Sequence, residues 1–357
     1  MKSLVFSILI IFSTHLGAQE VHEFYNGVRA LGMGGAVIAT VNDETALLSN
    51  PAGLGKLRNY FGTVIDPEVE VGSDNDQLIS LDFLQALRPQ TVLDALELKP
   101  DKHLHFKGQL FPSLVVPNFG VGLIAKYRMD ADFDSPTAPT ALRMSYQNDI
   151  GLVFGFNFRL FDGRLKIGFN TKIIDRIEIE KTDIAPSATN LSIESLASEG
   201  LGIGTDVGMI LTMPWKYLPT LSILARDLGG TYYDFQEGSF TGSSTRPNAE
   251  AQKIDVALAL FPILGNKTRG SFTIEARDVT NLAQASSTSR YLHTGMEVNF
   301  LDALFVRFGM NQTYFTGGLE MAFGNIQLQM ATYGEEIGYG TTLREDRRYT
   351  AKFAYRF

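Results

Sequence analysis

Aromatic residues stand at Phe353, Tyr355 and Phe357, with Ala354 and Arg356 between them. This is period-two alternation: one extended segment with a greasy face and a wet face. The same period recurs upstream. In Leu165–Ile173 the odd positions are mostly apolar, and the even ones are Lys166, Gly168, Asn170 and Lys172. In Leu201–Met213 the odd positions are again mostly apolar, against Gly202, Gly204, Asp206 and Gly208. Phe272, Ile274 and Ala276 alternate with Thr273, Glu275 and Arg277; Leu304, Val306, Phe308 and Met310 with Phe305, Arg307, Gly309 and Asn311; Ile326, Leu328 and Met330 with Gln327 and Gln329. Such a sheet needs an apolar medium on one face and a polar one on the other. A soluble sandwich meets that with core and water. A closed membrane barrel meets it with lipid outside and a polar lumen inside.

Residues 1–18 read as a secretory signal. Lys2 gives a positive start, Leu4 to Phe12 is almost unbroken apolar sequence, and Leu16-Gly17-Ala18 offers a cut before Gln19. An anchor helix is the alternative, but the run is too short to span a bilayer. No other stretch approaches eighteen consecutive apolar residues, yet 45% of the chain is hydrophobic, with Gly 34, Phe 25 and Tyr 13. Strand-rich, glycine-rich and aromatic-rich sequence without long apolar runs fits an outer-membrane barrel. Cys is 0, which excludes a disulfide framework and thiol chemistry. Without the signal the chain keeps 30 basic residues against 39 acidic, a net −9, which speaks against nucleic acid as a partner.

The expected strands are 58–71, 103–116, 119–133, 140–160, 165–181, 200–213, 219–235, 250–261, 268–279, 290–300, 303–311, 313–323, 325–334 and 346–357. That makes about 14, an even number, as bacterial single-chain barrels require. The connections are sorted by length. Every other one is short: Pro117-Asn118, Asp162-Gly163, Trp215 to Leu218, Leu264 to Lys267, Leu301-Asp302 and Gly324. The alternating set is mostly long (72–102, 134–139, 182–199, 236–249, 280–289, 335–345), with only Gln312 tight. Short periplasmic turns and long outer loops are the barrel rule. The first outer loop reads as two helices broken at Pro89, with Leu81, Leu84 and Leu87, then Val92, Leu93 and Leu96, at helical spacing. A lid that catches an apolar ligand and a cap that packs on its neighbours are both open readings.

Between the signal and the strands, residues 19–56 are irregular and rich in small residues. Within them stand Arg29-Ala-Leu-Gly-Met-Gly-Gly-Ala36, an acidic pair at Asp43-Glu44, and Ala46-Leu47 followed by Asn50-Pro-Ala-Gly-Leu54. This pattern resembles the N-terminus of the long-chain fatty-acid transporter superfamily of outer-membrane barrels (FadL/TodX-like). It is similar in particular to the sub-branch that contains the type 9 secretion barrel PorV. The resemblance implies a hatch that plugs the barrel, with Asn50-Pro51-Ala52 matching the hallmark triplet. The expected organisation is therefore a signal over 1–18, a hatch over 19–56 and a transmembrane barrel over 57–357.

The residues support a plug on their own. A barrel of fourteen strands is wider than its own side chains fill, so something must block it. Gly32, Gly34 and Gly35 let backbone approach a wall and adopt positive φ. Pro51 fixes a bend and holds Asn50 extended. Asn50 can bond nearby backbone, and Arg29 and Asp43 can pair with lumen charges. These charges include Lys126, Arg128, Lys166, Lys172, Arg176, Asp206, Asp255, Glu275, Arg277, Glu297, Arg307, Glu320, Lys352 and Arg356. The glycines lack G-x-G-x-x-G spacing, which argues against a nucleotide loop.

The resemblance implies passive uptake of a hydrophobic, fatty-acid-like small molecule, with the lipid bilayer as the surrounding partner. The alternative is a scaffold or shuttle that binds exported protein partners of a secretion system. In the transporters the ligand leaves sideways through a kinked strand. Phe111-Pro112-Ser113 lies in an early strand, and proline removes a ladder hydrogen bond, so a break is expected at Pro112. No cofactor, metal or catalytic residue is expected. His103-x-His105 reads as surface histidines without a third ligand, no G-x-S-x-G motif is present, and Tyr127, Trp215, Tyr217, Tyr232, Tyr233, Tyr349 and Tyr355 read as girdle aromatics.

Overall fold

The computed structural model describes residues 23–75, 89–135, 139–189, 191–281, 288–338 and 343–357. The signal reading of residues 1–18 lies outside the described residues, as do Leu81, Leu84 and Leu87.

Fourteen antiparallel strands form one closed barrel. They are β1 (Phe61–Ile65 and Glu68–Gly72), β2 (His103–Leu110 and Ser113–Val116), β3 (Phe119–Phe133), β4 (Leu142–Leu160), β5 (Leu165–Ile184), β6 (Ser198–Thr212) and β7 (Thr220–Arg226). Then follow β8 (Lys253–Leu260 and Ile263–Gly265), β9 (Thr268–Ala276), β10 (Leu292–Phe300), β11 (Leu304–Asn311), β12 (Tyr314–Phe323), β13 (Ile326–Glu336) and β14 (Glu345–Arg356). Each pairs with the next, and β14 returns to β1 through Tyr349↔Val71 and Thr63↔Arg356. Three strands are broken, each at a proline: Asp66-Pro67, Phe111-Pro112 and Phe261-Pro262. Proline has no N–H to give the ladder.

The short turns use left-handed residues, including Asn118 (φ 71°), Asp162 (φ 56°), Gly163 (φ 79°) and Gly324 (φ 57°). Such turns match the twist of the strands they join. One expected strand is shorter than its sequence suggests. β7 ends at Arg226, where Asp227 (φ 48°), Gly229 (φ 79°) and Gly230 (φ 85°) turn the chain away. In its place Gln236–Glu237 of the following loop pair with Leu201 and Gly200 of β6.

The two faces follow the alternation. On β4, Ile150, Leu152, Phe156, Phe158 and Leu160 point outward and are exposed, while Asp149 points inward and is fully buried. From Ile150 to Leu160 a tilted strand rises about 25 Å, the height of an outer-membrane apolar band. Exposed apolar residues continue round the barrel on β3, β8, β9, β11, β12 and β14. A contiguous apolar belt of this kind has no place in water.

β3, β4 and β5 run 15, 19 and 20 residues, well beyond the nine to eleven or so that cross a bilayer. Above the belt their outward residues are covered. Helix α3 (Pro89–Leu98) lays Val92, Leu93 and Leu96 on Leu104, Met129, Phe133, Met144 and Ile179. The described part of the first loop is thus a cap on the outer wall, while α1 (Val28–Gly32) and α2 (Ala46–Ser49) belong to the segment inside the barrel.

Two expectations are corrected. His103 and His105 are not surface residues: both point into the lumen and are buried, His105 between Asp130 (2.5 Å) and Glu70 (2.8 Å). Their same-face spacing put them on the inner face of β2, where carboxylates wait. Tyr233 is not a girdle aromatic. It is buried over the Arg176 guanidinium at 4.5 Å, because the loop after β7 folds in over the rim.

Candidate functional site

The bore is filled by the chain's own N-terminal segment. It opens with α1 (Val28–Gly32), continues through α2 (Ala46–Ser49) and ends in a 3-10 helix, Pro51–Lys56. Its apolar core includes Val37, Val41, Ala46, Leu47 and Leu54, and it reaches Phe111, Val115, Ile124 and Val153 on the wall. The segment is not paired in the sheet, so its polar backbone must be satisfied otherwise. Inward side chains of the wall do this, at two seats.

The first seat lies on β9–β12. After α1 the chain turns through Gly34 (φ 64°) and Gly35 (φ 85°), a conformation that favours glycine. A Cβ on Gly34 would strike the carbonyls of Met310 and Thr294, and the wall facing Met33 is itself glycine, Gly295 beside Gly309. Thr316 donates to the Gly32 carbonyl (3.1 Å), His293 Nδ1 bonds the Gly34 carbonyl (2.8 Å), and Arg277 donates to the Gly35 carbonyl. Glu275 accepts from the Val37 and Ile38 N–H groups at 2.8 and 3.1 Å.

The second seat lies on β4–β7. Asn50 is extended (φ −163°), as a residue before proline must be, and Pro51 opens the 3-10 helix. The Asn50 side chain is fully buried and fully used. Its Oδ1 accepts from Ala52 N–H (3.0 Å), and its Nδ2 donates to the Ile38 carbonyl (2.8 Å) and to Ser222 Oγ (2.9 Å). Gly168 faces Gly208 in the ladder; a Cβ on the first would strike Pro51, and one on the second the Asn50 amide. Asn157 donates to the Ala52 carbonyl (3.2 Å) and Asn170 to the Leu47 carbonyl (2.7 Å).

Charge also ties the plug to the wall, on β10–β12 and β14. Arg29 binds Glu297 through two nitrogens, at 2.9 and 3.1 Å, and Asp43 at 2.6 Å. Arg307 joins the same Glu297 (2.7 Å) and also Glu320, while Arg356 holds Glu44 at 3.0 Å. Burial alone would raise the Asp43 carboxyl. The Arg29 guanidinium and the Thr45 hydroxyl outweigh it and hold Asp43 well below the usual carboxylate range. Its neighbour Glu44 goes the other way, pushed up by burial that Arg356 only partly offsets.

Beside the plug, on the short-turn side, a bay of about 560 Å³ remains open, lined by Arg29, Asp43, Ser271, Glu297, Phe305 and Arg307 among others. β1 and β2 are interrupted at the same level. Their ladder stops at Glu68↔Gln109 and resumes at Thr63↔Ser113, so it does not run through Pro112. The Asp66 carboxylate fills the break, accepting from Phe111 N–H at 2.6 Å and pairing with Lys352 at 2.8 Å. Behind it the Phe111 ring points inward against Tyr25 of the plug, ring centres 5.7 Å apart.

Every residue singled out in the plug therefore lies in one body: Arg29, Gly32, Gly34, Gly35 and Asp43 toward the first seat, Asn50, Pro51 and Ala52 in the second. Pro112 stands apart, in the wall. The sequence did not reveal Asp66-Pro67 as the partner of the Pro112 break. The proline within an expected strand was the available signal. Nor did it separate wall glycines that receive the plug from those that merely fill strands. Among the described residues no group of three or more His, Cys, Asp or Glu fits a metal.

These features define a class: a fourteen-strand membrane barrel corked from within by its own N-terminal segment. No protein-family model matches the chain, and no curated protein matches it in sequence. Solved structures match it over nearly their whole length. The monoaromatic hydrocarbon channel CymD superposes with a TM-score of 0.57 at 9% identity, over 92% of this chain and 96% of that one. The toluene transporter TbuX of Ralstonia pickettii gives 0.52 at 12%, over 93% and 98%. A FadL homologue of Pseudomonas aeruginosa gives 0.51 at 10%, over 95% and 98%. At these identities the likeness is one of fold: this chain has the FadL-type barrel.

Proposed function

We propose that the protein is an outer-membrane channel for passive uptake of hydrophobic small molecules. The observation that carries this reading is the seated plug. Residues Arg29–Ala36 and Asn50–Leu54, whose pattern resembles the FadL-type hatch, occupy the bore of a FadL-type barrel. The neighbours' names, a monoaromatic hydrocarbon channel and toluene transporters, supply the substrate class. Gram-negative outer membrane is the matching location, and a channel rather than an enzyme the matching activity. Wall and plug offer hydrogen-bond partners and ion pairs, with no nucleophile–base pair among the residues that form the seats.

The exit we assign is the β1–β2 break at Pro112. Here the β1–β2 ladder is interrupted, and a plug residue, Tyr25, packs on Phe111 behind the gap. The scaffold reading, with secretion partners on the loops, has no such observation behind it. The test is uptake of radiolabelled toluene or a labelled fatty acid into liposomes bearing the purified protein. Uptake above that of protein-free liposomes is expected; uptake no faster than theirs removes the reading.

A further inference from the structure

We infer that the rim of the barrel formed by four consecutive short turns is a binding surface for anionic phospholipid. The turns join β4 to β5, β6 to β7, β8 to β9 and β10 to β11. They lie side by side at the short-turn end, which in an outer-membrane barrel faces the periplasm. Three of them are built on residues that their own backbone disfavours. Phe161 (φ 51°), Tyr217 (φ 68°), Leu218 (φ 46°) and Leu301 (φ 61°) are all left-handed. A bulky side chain is an outlier there, where Gly, Asn or Asp is the usual occupant. The same barrel uses the usual residues at the two flanking turns, Asn118 between β2 and β3 and Gly324 between β12 and β13. The apolar side chains kept against that preference, and those beside them, stand clear of the protein: Phe161 is 75% exposed, Trp215 65%, Ile263 81% and Leu301 66%. Backbone strain held in place under exposed apolar groups points to what those groups meet.

The patch is continuous with the lipid-facing belt, whose exposed residues beside these turns are Leu160, Leu260 and Phe300, so its apolar surface belongs to the membrane boundary. Its charge selects the lipid. Over 159–165, 213–219, 261–269 and 300–304 the chain carries five basic residues, Arg159, Arg164, Lys216, Lys267 and Arg269, against two acidic ones, Asp162 and Asp302. All are exposed, in a chain that is acidic as a whole. None of the basic ones has an ion-pair partner among the described residues; Lys216 lies 4.9 Å over the Tyr217 ring, and Arg159 gives one N–H to Asn118. An apolar tip beside an unpaired cation enters the acyl boundary and leaves the cation level with the phosphates. A zwitterionic head brings its own ammonium to that phosphate. A net-anionic head has no competing cation, so the arc favours it. The flanking tips, Asn118 and Gly324, are uncharged and small, which confines the surface to one side of the rim. The inference does not depend on what the channel carries.

Trp215 is the only tryptophan of the chain, so its fluorescence reports on the arc directly. The test reconstitutes the protein in liposomes of brominated phosphatidylcholine mixed with unbrominated phosphatidylglycerol or unbrominated phosphatidylcholine. It reads how far each unbrominated lipid relieves the quenching of Trp215. In wild type, phosphatidylglycerol is expected to displace the brominated lipid about fivefold better than phosphatidylcholine, and the preference shrinks as salt is raised. The double variant Arg164→Gln, Lys216→Gln, at two exposed positions, is expected to bring the two lipids to parity at an unchanged melting temperature. Phe161→Asn, which the left-handed position accepts more readily, is expected to fold and to weaken quenching in every mixture. Equal displacement by the two lipids in wild type overturns the inference, as does a preference that survives the double variant. A Trp215 that brominated lipid does not quench overturns it too. That result gives the arc to a soluble partner, or to a second copy of the chain if sedimentation in detergent shows a dimer.

Discussion

Arg29 of the plug and Glu297 of the wall stand 268 residues apart in sequence and close a two-armed ion pair, at 2.9 and 3.1 Å. Arg29 also holds Asp43, so one guanidinium ties α1, the acidic stretch after it and strand β10 together. Removing one member of a buried pair costs about 3–5 kcal/mol, because the partner stays behind uncompensated. Here Glu297 keeps Arg307, which puts Arg29→Leu toward the lower end. The expected result is faster amide exchange over residues 28–45 and a larger single-channel conductance in planar bilayers. Exchange and conductance unchanged from wild type would mean that the plug is held by its seats alone.

The seats predict a sharp contrast among glycines. Gly34→Ala combines a left-handed φ with a clash against two wall carbonyls, and Gly168→Ala pushes on Pro51 from the wall side. Each is expected to cost about 1–3 kcal/mol and to loosen the plug. Gly317, also in the wall, has open space where its Cβ would be. Gly317→Ala is expected to melt like wild type. Thermal unfolding followed by circular dichroism, with conductance as the second readout, checks all three.

The β1–β2 break can be stapled. Thr63 faces Ser113 and Glu68 faces Gln109 in the ladder on either side of it, and directly opposed Cβ atoms are about 4.5–5.5 Å apart. The chain has no cysteine, so Cys pairs at 63/113 and 68/109 are free of background. If the break is the exit, the doubly oxidised protein loses hydrophobic uptake and reductant restores it. Undiminished uptake with both bonds confirmed by mass spectrometry would move the exit elsewhere.

Acid should loosen the plug in a particular window. Asp43 sits below its ordinary value in the folded protein, so its contribution is present at neutral pH, above the unfolded value of about 4. It is lost as pH falls from there through the lowered folded value. Glu44, raised by burial, has the opposite sign: its charged form is penalised at neutral pH, and acid relieves that. Amide protection of residues 36–48 in wild type, taken relative to the intrinsic exchange rate at each pH, is thus expected to hold from pH 7 to about 4 and then fall. Asp43→Asn is expected to start less protected and to show a smaller acid step. An acid step as large in Asp43→Asn as in wild type would assign it to other carboxylates.

Much of this molecule was legible from local pattern. Period-two alternation depends only on which medium each strand face meets, so it marked β5, β9 and β11 and the inward charges Glu275, Arg277, Glu297 and Arg307. Turn chemistry marked Asn118, Asp162 and Gly324. The plug motif was marked by its resemblance to the FadL-type N-terminus, and its glycines and Asn-Pro suit tight backbone approach and a fixed bend.

What alternation could not carry was partnership around a closed cylinder. Strand register brings Gly168 beside Gly208 and Gly295 beside Gly309, and only then do glycines become seats. Closure between β14 and β1 sets Lys352 on Asp66, and the pairing of β1 with β2 brings the two proline breaks level. The histidines of β2 had their spacing written in sequence, but which carboxylates they would meet depended on β1 and β3. Sequence therefore determined which face each residue shows, since that is a local property of an extended chain. The tertiary structure alone decided what each face meets, since that follows from ring closure and from a plug lying against strands more than a hundred residues away.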